Sequence, residues 1–132
     1  MNRYSQTKEE IAFCELEQII ESNNLAAFEK KLKETNLDLQ TKDQFNNSFL
    51  HIAGMKGSLS VIEFLIDKGL EINAINSTGK TPLHLAIKNE NIDIAIFLIK
   101  KGANYSIRDK SGRSVLDSAT RDKRIILQKY LR

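Results

Sequence analysis

The stretch Asn76 to Asp109 reads N-S-T-G-K-T-P-L-H-L-A-I-K-N-E-N-I-D-I-A-I-F-L-I-K-K-G-A-N-Y-S-I-R-D, and its pattern recurs on both sides. The recurrence has a fixed period of 33 residues. It is visible at Asp43, Asn76 and Asp109, at Leu50, Leu83 and Leu116, and at Ala53, Ala86 and Ala119. A period of this length is typical of repeat architectures, in which each unit buries its apolar face against its neighbours.

The repeat resembles that of the ankyrin family. Thr81 to Ala86 reads T-P-L-H-L-A, which matches the family pattern T-P-L-H-x-A. The resemblance is strong from Asp43 to Asp117 and weaker outside that range. It implies an all-α solenoid of about four helix-turn-helix units with β-hairpin-like loops. We expect one domain over residues 1–132, with an N-terminal cap repeat at 8–42, full repeats at 43–75 and 76–108, and a C-terminal cap repeat at 109–132.

Apolar residues at helical spacing predict the helices of these units. In the N-terminal cap we expect helices from Lys8 to Glu21 and from Leu25 to about Glu34. In the second repeat, the inner helix should end at Gly57 and the outer helix at Gly69. The predicted N-cap residues of the later helices are Ser48, Ser58, Thr81 and Ser114.

Glu90 occupies the place that Gly57 holds one repeat earlier. One interpretation is that Glu90 adopts the left-handed backbone that glycine would adopt, at a cost of about 1–2 kcal/mol. The other is that the turn is adjusted and that Asn89 or Asn91 takes the unusual backbone angle.

The composition favours a protein that is neither secreted nor embedded in a membrane. Apolar residues make up 41% and charged residues 28% of the chain, which is ordinary for a soluble protein. No apolar run approaches the roughly 20 residues that span a bilayer, and no secretory signal is visible. The one cysteine, Cys14, excludes an intrachain disulfide. We expect a monomer in the cytoplasm, or in a host cell if the protein is a delivered effector.

The chain shows no arrangement typical of an active site, a metal site or a cofactor site. Two histidines and one cysteine do not supply the usual zinc ligands, and no phosphate-binding or nucleophile motif occurs. His51 and His84 share one repeat position, which fits either paired metal ligands or a repeated cap of the helix start; the period favours the cap. Cys14 could be a nucleophile, but a buried position on an apolar helix face is the simpler interpretation. We therefore predict a non-enzymatic protein without metals or cofactors.

The ankyrin resemblance implies a concave partner surface built from hairpin tips and the exposed edge of the inner helices. Applying the family's surface positions to each repeat of this chain gives twelve candidate residues. They are Phe45, Asn47, Met55, Lys56, Ile75, Thr78, Lys80, Lys88, Arg108, Lys110, Arg113 and Arg121. Lysine and arginine make this surface basic, while Phe45, Met55 and Ile75 form a small apolar patch. Such a surface suits an acidic or amphipathic protein. The basic residues could equally serve only to solubilise exposed positions.

Three functions compete for this surface. The first is a protein-binding module. The second, which rests on family resemblance alone, is a bacterial effector or a toxin-inhibitor or immunity-type regulator that uses the same residues. The third is nucleic-acid binding, which is disfavoured because Phe45 is the only aromatic residue on the surface and the net charge is only +3.

Overall fold

The computed structural model describes residues 7–131, and over that range the chain is all-helical, as predicted, with no β-strand. The helices, in chain order, are α1 Lys8–Glu21, α2 Leu25–Thr35, α3 Phe49–Lys56, α4 Leu59–Asp67, α5 Pro82–Lys88, α6 Ile92–Lys100, a 3-10 helix Val115–Ser118, and α7 Arg121–Gln128. Consecutive helices pack in pairs, and α1, α3, α5 and the 3-10 helix stack into an inner row. The outer helices lie behind that row, as in a solenoid of helical hairpins.

None of the helices within residues 7–131 combines the length and the apolar character that crossing a membrane would need.

A capping box opens each of the three inner α-helices. The N-cap hydroxyl accepts a hydrogen bond from the backbone N–H three residues on, and that third residue bonds back to the N-cap N–H. The pairs are Thr7 with Glu10, Ser48 with His51, and Thr81 with His84. The predicted side-chain cap from Ser58 is wrong, because its hydroxyl donates instead to Asn23 Oδ1 of the preceding unit at 2.8 Å.

The core lies between the inner and outer rows and runs through all the units. At its N-terminal end, three aromatic rings join the first two units. Phe13 stacks on Phe49 with ring centroids 4.5 Å apart, and Phe28 meets Phe49 edge-on at 5.6 Å. Cys14 is exposed, so the prediction that it is buried is wrong. The buried stripe of α1 includes Phe13, and the next residue, Cys14, lies outside that stripe.

The last unit departs from the repeat. Its inner helix is reduced to the 3-10 turn Val115–Ser118, because Ala119 and Thr120 adopt extended backbone with ψ of 144° and 164°. Thr120 then caps α7, which begins at Arg121. The expected place of Arg121 on the inner-helix edge is therefore wrong, since it is the first residue of the outer helix.

Glu90 itself carries the strained backbone angle. Its φ is 60°, close to the 80° of Gly57, while Asn89 and Asn91 have ordinary negative φ values. The first of the two interpretations of this turn is confirmed.

We expect Glu90→Gly to raise the free energy of unfolding by about 1 kcal/mol, because glycine adopts a left-handed backbone without the steric cost of a Cβ. Glu63→Gly, at an exposed position of α4, is the matched control and should lower it by about 1 kcal/mol. Urea unfolding followed by circular dichroism measures both. A lower urea midpoint for Glu90→Gly would contradict the assignment of strain to this residue.

Candidate functional site

Three loop tips share one hydrogen-bond scheme. In each, the first residue accepts at Oδ1 from backbone N–H groups two and four residues on, as in an Asx turn. The acceptor and donor residues are Asp43 with Phe45 and Asn47, Asn76 with Thr78 and Lys80, and Asp109 with Ser111 and Arg113. The fourth residue of each tip has positive φ and is Asn46, Gly79 or Gly112. The expected β-hairpin-like loops are present as these tight tips, without strands in residues 7–131.

The tips stack on one another through backbone hydrogen bonds. Ser77 N–H donates to the carbonyl of Phe45 at 2.9 Å, and Lys110 N–H donates to the carbonyl of Thr78 at 3.0 Å. The approach is close, since a Cβ added at Gly79 would lie 2.9 Å from the Lys110 nitrogen. We call residues 43–47, 76–80 and 109–113, with the preceding Ile75 and Arg108, the hairpin row.

A second set of contacts lies beneath the tips and uses side chains. Asn76 Nδ2 donates to Asn47 Oδ1 at 2.9 Å, and one repeat later Lys80 Nζ lies 3.2 Å from Asp109 Oδ2. An amide pair at one interface is thus replaced by an ion pair at the next. The Ser111 hydroxyl, the Arg113 N–H and the Lys80 ammonium all hold the pKa of Asp109 well below its usual range.

These contacts remove Asn47 and Lys80 from the candidate partner surface. Asn47 is only 7% exposed, and its amide also donates to Asp43 Oδ2 at 3.2 Å. The Lys80 ammonium faces a buried carboxylate, so its charge is neutralised inside the fold. For both residues the offset rule identified an internal contact between repeats rather than an exposed side chain.

His51 and His84 connect each repeat to the next. Nδ1 of His51 accepts from Ser48 N–H at 3.2 Å, so Nε2 carries the proton and donates to the carbonyl of Lys80 at 2.9 Å. His84 does the same with Thr81 N–H and, at 3.4 Å, with the carbonyl of Arg113. The capping interpretation is confirmed, and both ring nitrogens are engaged. Burial is the main cause that lowers the pKa of each imidazole below 6.5.

The other predicted surface residues, apart from Arg121, remain accessible. Met55 is partly buried, while Phe45, Lys56, Ile75, Thr78, Lys88, Arg108, Lys110 and Arg113 are exposed. Phe45 is 59% and Ile75 is 47% exposed. They lie on neighbouring tips, because Phe45 accepts from Ser77 and Asn46 Nδ2 donates to the carbonyl of Ile75 at 3.3 Å. Lys56 lies 3.9 Å from Glu21, and Arg108 Nη1 donates to the carbonyl of Gly112.

Charge is divided along the solenoid. Residues 7–75 contain twelve Asp and Glu against seven Lys and Arg, whereas residues 76–132 contain five against twelve. The exposed basic candidates Lys88, Arg108, Lys110 and Arg113 all belong to the second half. The basic character therefore holds for the C-terminal part of the hairpin row, and the acidic half is a feature that the residue-by-residue prediction missed.

The family model for ankyrin repeats in three copies matches residues 16–109, which is most of the chain. The chain belongs to the ankyrin-repeat family. No curated protein sequence matches it significantly. Ankyrin repeats are generally modules for protein–protein interaction and are typically non-enzymatic.

The neutral imidazoles predict a pH dependence of stability. Their pKa values are lowered in the folded chain, so the unfolded chain binds more protons as the pH falls through about 6.5. We expect the urea midpoint to fall between about pH 7 and pH 5. Asp109, whose pKa is lowered, loses its contribution only below about pH 4.

The matched variant for this prediction is His51→Gln with His84→Gln, because glutamine at the third helical position keeps a capping box and does not titrate. We expect it to flatten the change between pH 7 and pH 5. NMR titration of the wild-type imidazoles provides a measurement that does not depend on the variant. Two imidazole pKa values at or above 6.5 would contradict the proposed effect.

The exchange of an amide pair for an ion pair is also testable. Asp109→Asn should lower the urea midpoint, because it places the Lys80 ammonium against an uncharged amide at a buried contact. Adding Lys80→Asn should recover much of the loss, since it recreates the pair that Asn47 and Asn76 form. Strictly additive effects of the two substitutions would contradict direct coupling across this interface.

Proposed function

We propose that the chain is a non-enzymatic protein-binding module that recognises an acidic or amphipathic protein through the hairpin row and the exposed ends of the inner helices. The observation that carries this choice of surface is the pair of exposed apolar side chains, Phe45 and Ile75, on adjacent tips. Neither belongs to the core cluster. Adjacent exposed apolar side chains on a rigid backbone are typical anchors for a partner.

The basic part of the surface supplies orientation. Lys88, Lys110 and Arg113 are exposed and make no ion pair with the acids of residues 7–131. The row is therefore apolar toward its N-terminal end and positive toward its C-terminal end. A partner with an acidic patch beside an apolar one is attracted by the charge and aligned along the row.

Nucleic acid is a weaker candidate for the same surface. The Lys80 ammonium is paired with Asp109, and Phe45 is the only aromatic ring in the hairpin row. Single-stranded nucleic acids bind through several stacking rings as well as through cations. Nuclease treatment of the lysate in an affinity-capture experiment separates the two candidates.

Affinity capture from nuclease-treated native lysate, quantified by mass spectrometry, tests the proposal. We expect Ile75→Ala, and separately Lys110→Glu with Arg113→Glu, to reduce the captured partner by about tenfold or more. The matched control, Lys30→Glu with Lys33→Glu, makes the same charge change on the exposed face of α2 and should leave capture unchanged. Equal capture by all variants, or capture lost after nuclease treatment, would refute the proposed function.

A further inference from the structure

The N-terminal unit lacks a hairpin tip and has a longer helix instead. α1 has 14 residues, whereas the inner helices α3 and α5 have 8 and 7. Asn23 and Gly57 both have a positive φ, so we align the first two units at these residues. In this alignment, Cys14 takes the position of the N-cap Ser48. The chain before Cys14 therefore continues as helix, where the next repeat forms its tip. This difference leaves an open space beside the first tip of the hairpin row.

That space is a groove of about 960 Å³ between α1 and the segment 35–45. Ala12 and Cys14 contribute to its α1 wall, and Leu37 and Phe45 contribute to the opposite wall. Phe45 and Cys14 are exposed there, and Ala12 is buried in the helix wall. The groove is open and has apolar side chains in both walls, so an extended chain can enter it.

The edge of the first tip has an unused hydrogen-bond donor. In the later tips, the N–H groups of Ser77 and Lys110 donate to the carbonyl of the preceding tip. Gln44 occupies the same repeat position and lines the groove, and its N–H has no acceptor among residues 7–131. An unpaired edge of this kind is where an added extended chain finds a main-chain hydrogen bond.

The charge of the groove residues indicates which kind of peptide the groove can bind. The charged groove residues are Glu9, Glu10, Glu17, Asp38 and Asp43, against Lys8 and Lys42. Glu10 and Asp43 are occupied by the helix cap and the first tip. Glu9 and Glu17 have no hydrogen-bond or ion-pair partner among the described residues, and Asp38 uses only Oδ1, for Gln40 N–H. Lys8 and Lys42 have no ion pair among the described residues either, so three unpaired acids face two lysines, and the five acids of the groove outnumber its two bases. The groove is therefore net negative, opposite to the C-terminal hairpin row.

We propose that this groove binds an extended, basic peptide segment of a partner protein. One peptide carbonyl accepts from Gln44 N–H, an apolar side chain contacts Phe45, and lysine or arginine side chains approach Glu9, Glu17 and Asp38. Side chains of an extended peptide alternate between two faces, so a segment that alternates basic and apolar residues satisfies both requirements. The groove meets the surface proposed above at the first tip, where Phe45 belongs to both, but its acidic wall lies on α1, outside the hairpin row.

The probe is a fluorescein-labelled peptide in which Lys or Arg alternates with Leu or Val, compared with a peptide in which Glu replaces the basic residues. Binding to the full chain is measured by fluorescence anisotropy. We expect only the cationic peptide to bind in the groove. Glu9→Gln with Glu17→Gln should weaken it about fivefold, and Phe45→Ala about tenfold.

Two matched controls localise the binding. Glu63→Gln with Asp67→Asn removes two exposed acids of α4, and Ile125→Ala removes an exposed apolar side chain at the opposite end of the solenoid. Both should leave the affinity unchanged. Gln44→Pro removes the edge N–H together with the Gln44 side chain and keeps the turn, because proline is tolerated at the second position of such a turn; it should weaken binding about fivefold.

Cys14 provides an independent readout, since it is the one thiol of the chain and lines the groove. Saturating cationic peptide should slow alkylation of Cys14 by N-ethylmaleimide at least about fivefold, as measured by mass spectrometry. No binding of the cationic peptide would overturn the proposal. So would binding that leaves the alkylation rate unchanged, or binding that the control substitutions weaken as much as the groove substitutions do.

Discussion

The fold depends on the polar contact between consecutive repeats at the base of the hairpin row. A solenoid has no single central core, so each unit is stabilised by the neighbours it touches. Here His51 donates to the carbonyl of Lys80, Asn47 pairs with Asn76, and Lys80 pairs with Asp109. Behind this polar layer the inner helices approach closely, since a Cβ on Gly54 would lie 3.0 Å from the carbonyl oxygen of Pro82. Together the two layers fix the spacing of the tips and hence of every exposed side chain on them.

The contact also separates structural from accessible residues on a surface that looks uniform in the sequence. Asn47 and Lys80 hold the same repeat position, and both reach forward to the first residue of the next tip. Arg113 holds that position in the last unit and is exposed. One repeat position thus yields two internal contacts and one exposed cation. The difference depends on whether another tip lies next to the residue in the stack and not on the residue type.

The sequence predicts the fold well because period, caps and helix ends are local signals. The bounds of α1 and the capping residues Ser48 and Thr81 follow from short-range chemistry, whereas the sequence leaves open which residue of the turn 89–91 takes the positive φ that the structure places at Glu90. The inter-repeat pairs join residues 29 apart, so they appear only when complementary polar residues are sought at that separation. The transfer of surface positions from repeat to repeat is wrong at Arg121, because the inner helix ends early there. The prediction that Cys14 is buried is also wrong, since the buried residue is the adjacent Phe13. The first and last units of residues 7–131 are where the period loses its predictive value, because within that range each packs against one other unit only.

The two ends of the tip stack are chemically different for the same reason. Ser77 and Lys110 donate an N–H to the carbonyl of the preceding tip, so the stack of tips has a donor edge at one end and an acceptor edge at the other. At the donor edge, α1 replaces the missing tip, and its glutamates line the same groove as Gln44, whose N–H has no acceptor among residues 7–131. Toward the other edge, the exposed side chains are basic. Backbone polarity and side-chain charge are thus arranged along one axis. A basic extended peptide at the donor edge finds both a backbone hydrogen-bond donor and side chains of opposite charge, whereas an acidic peptide finds only the backbone donor.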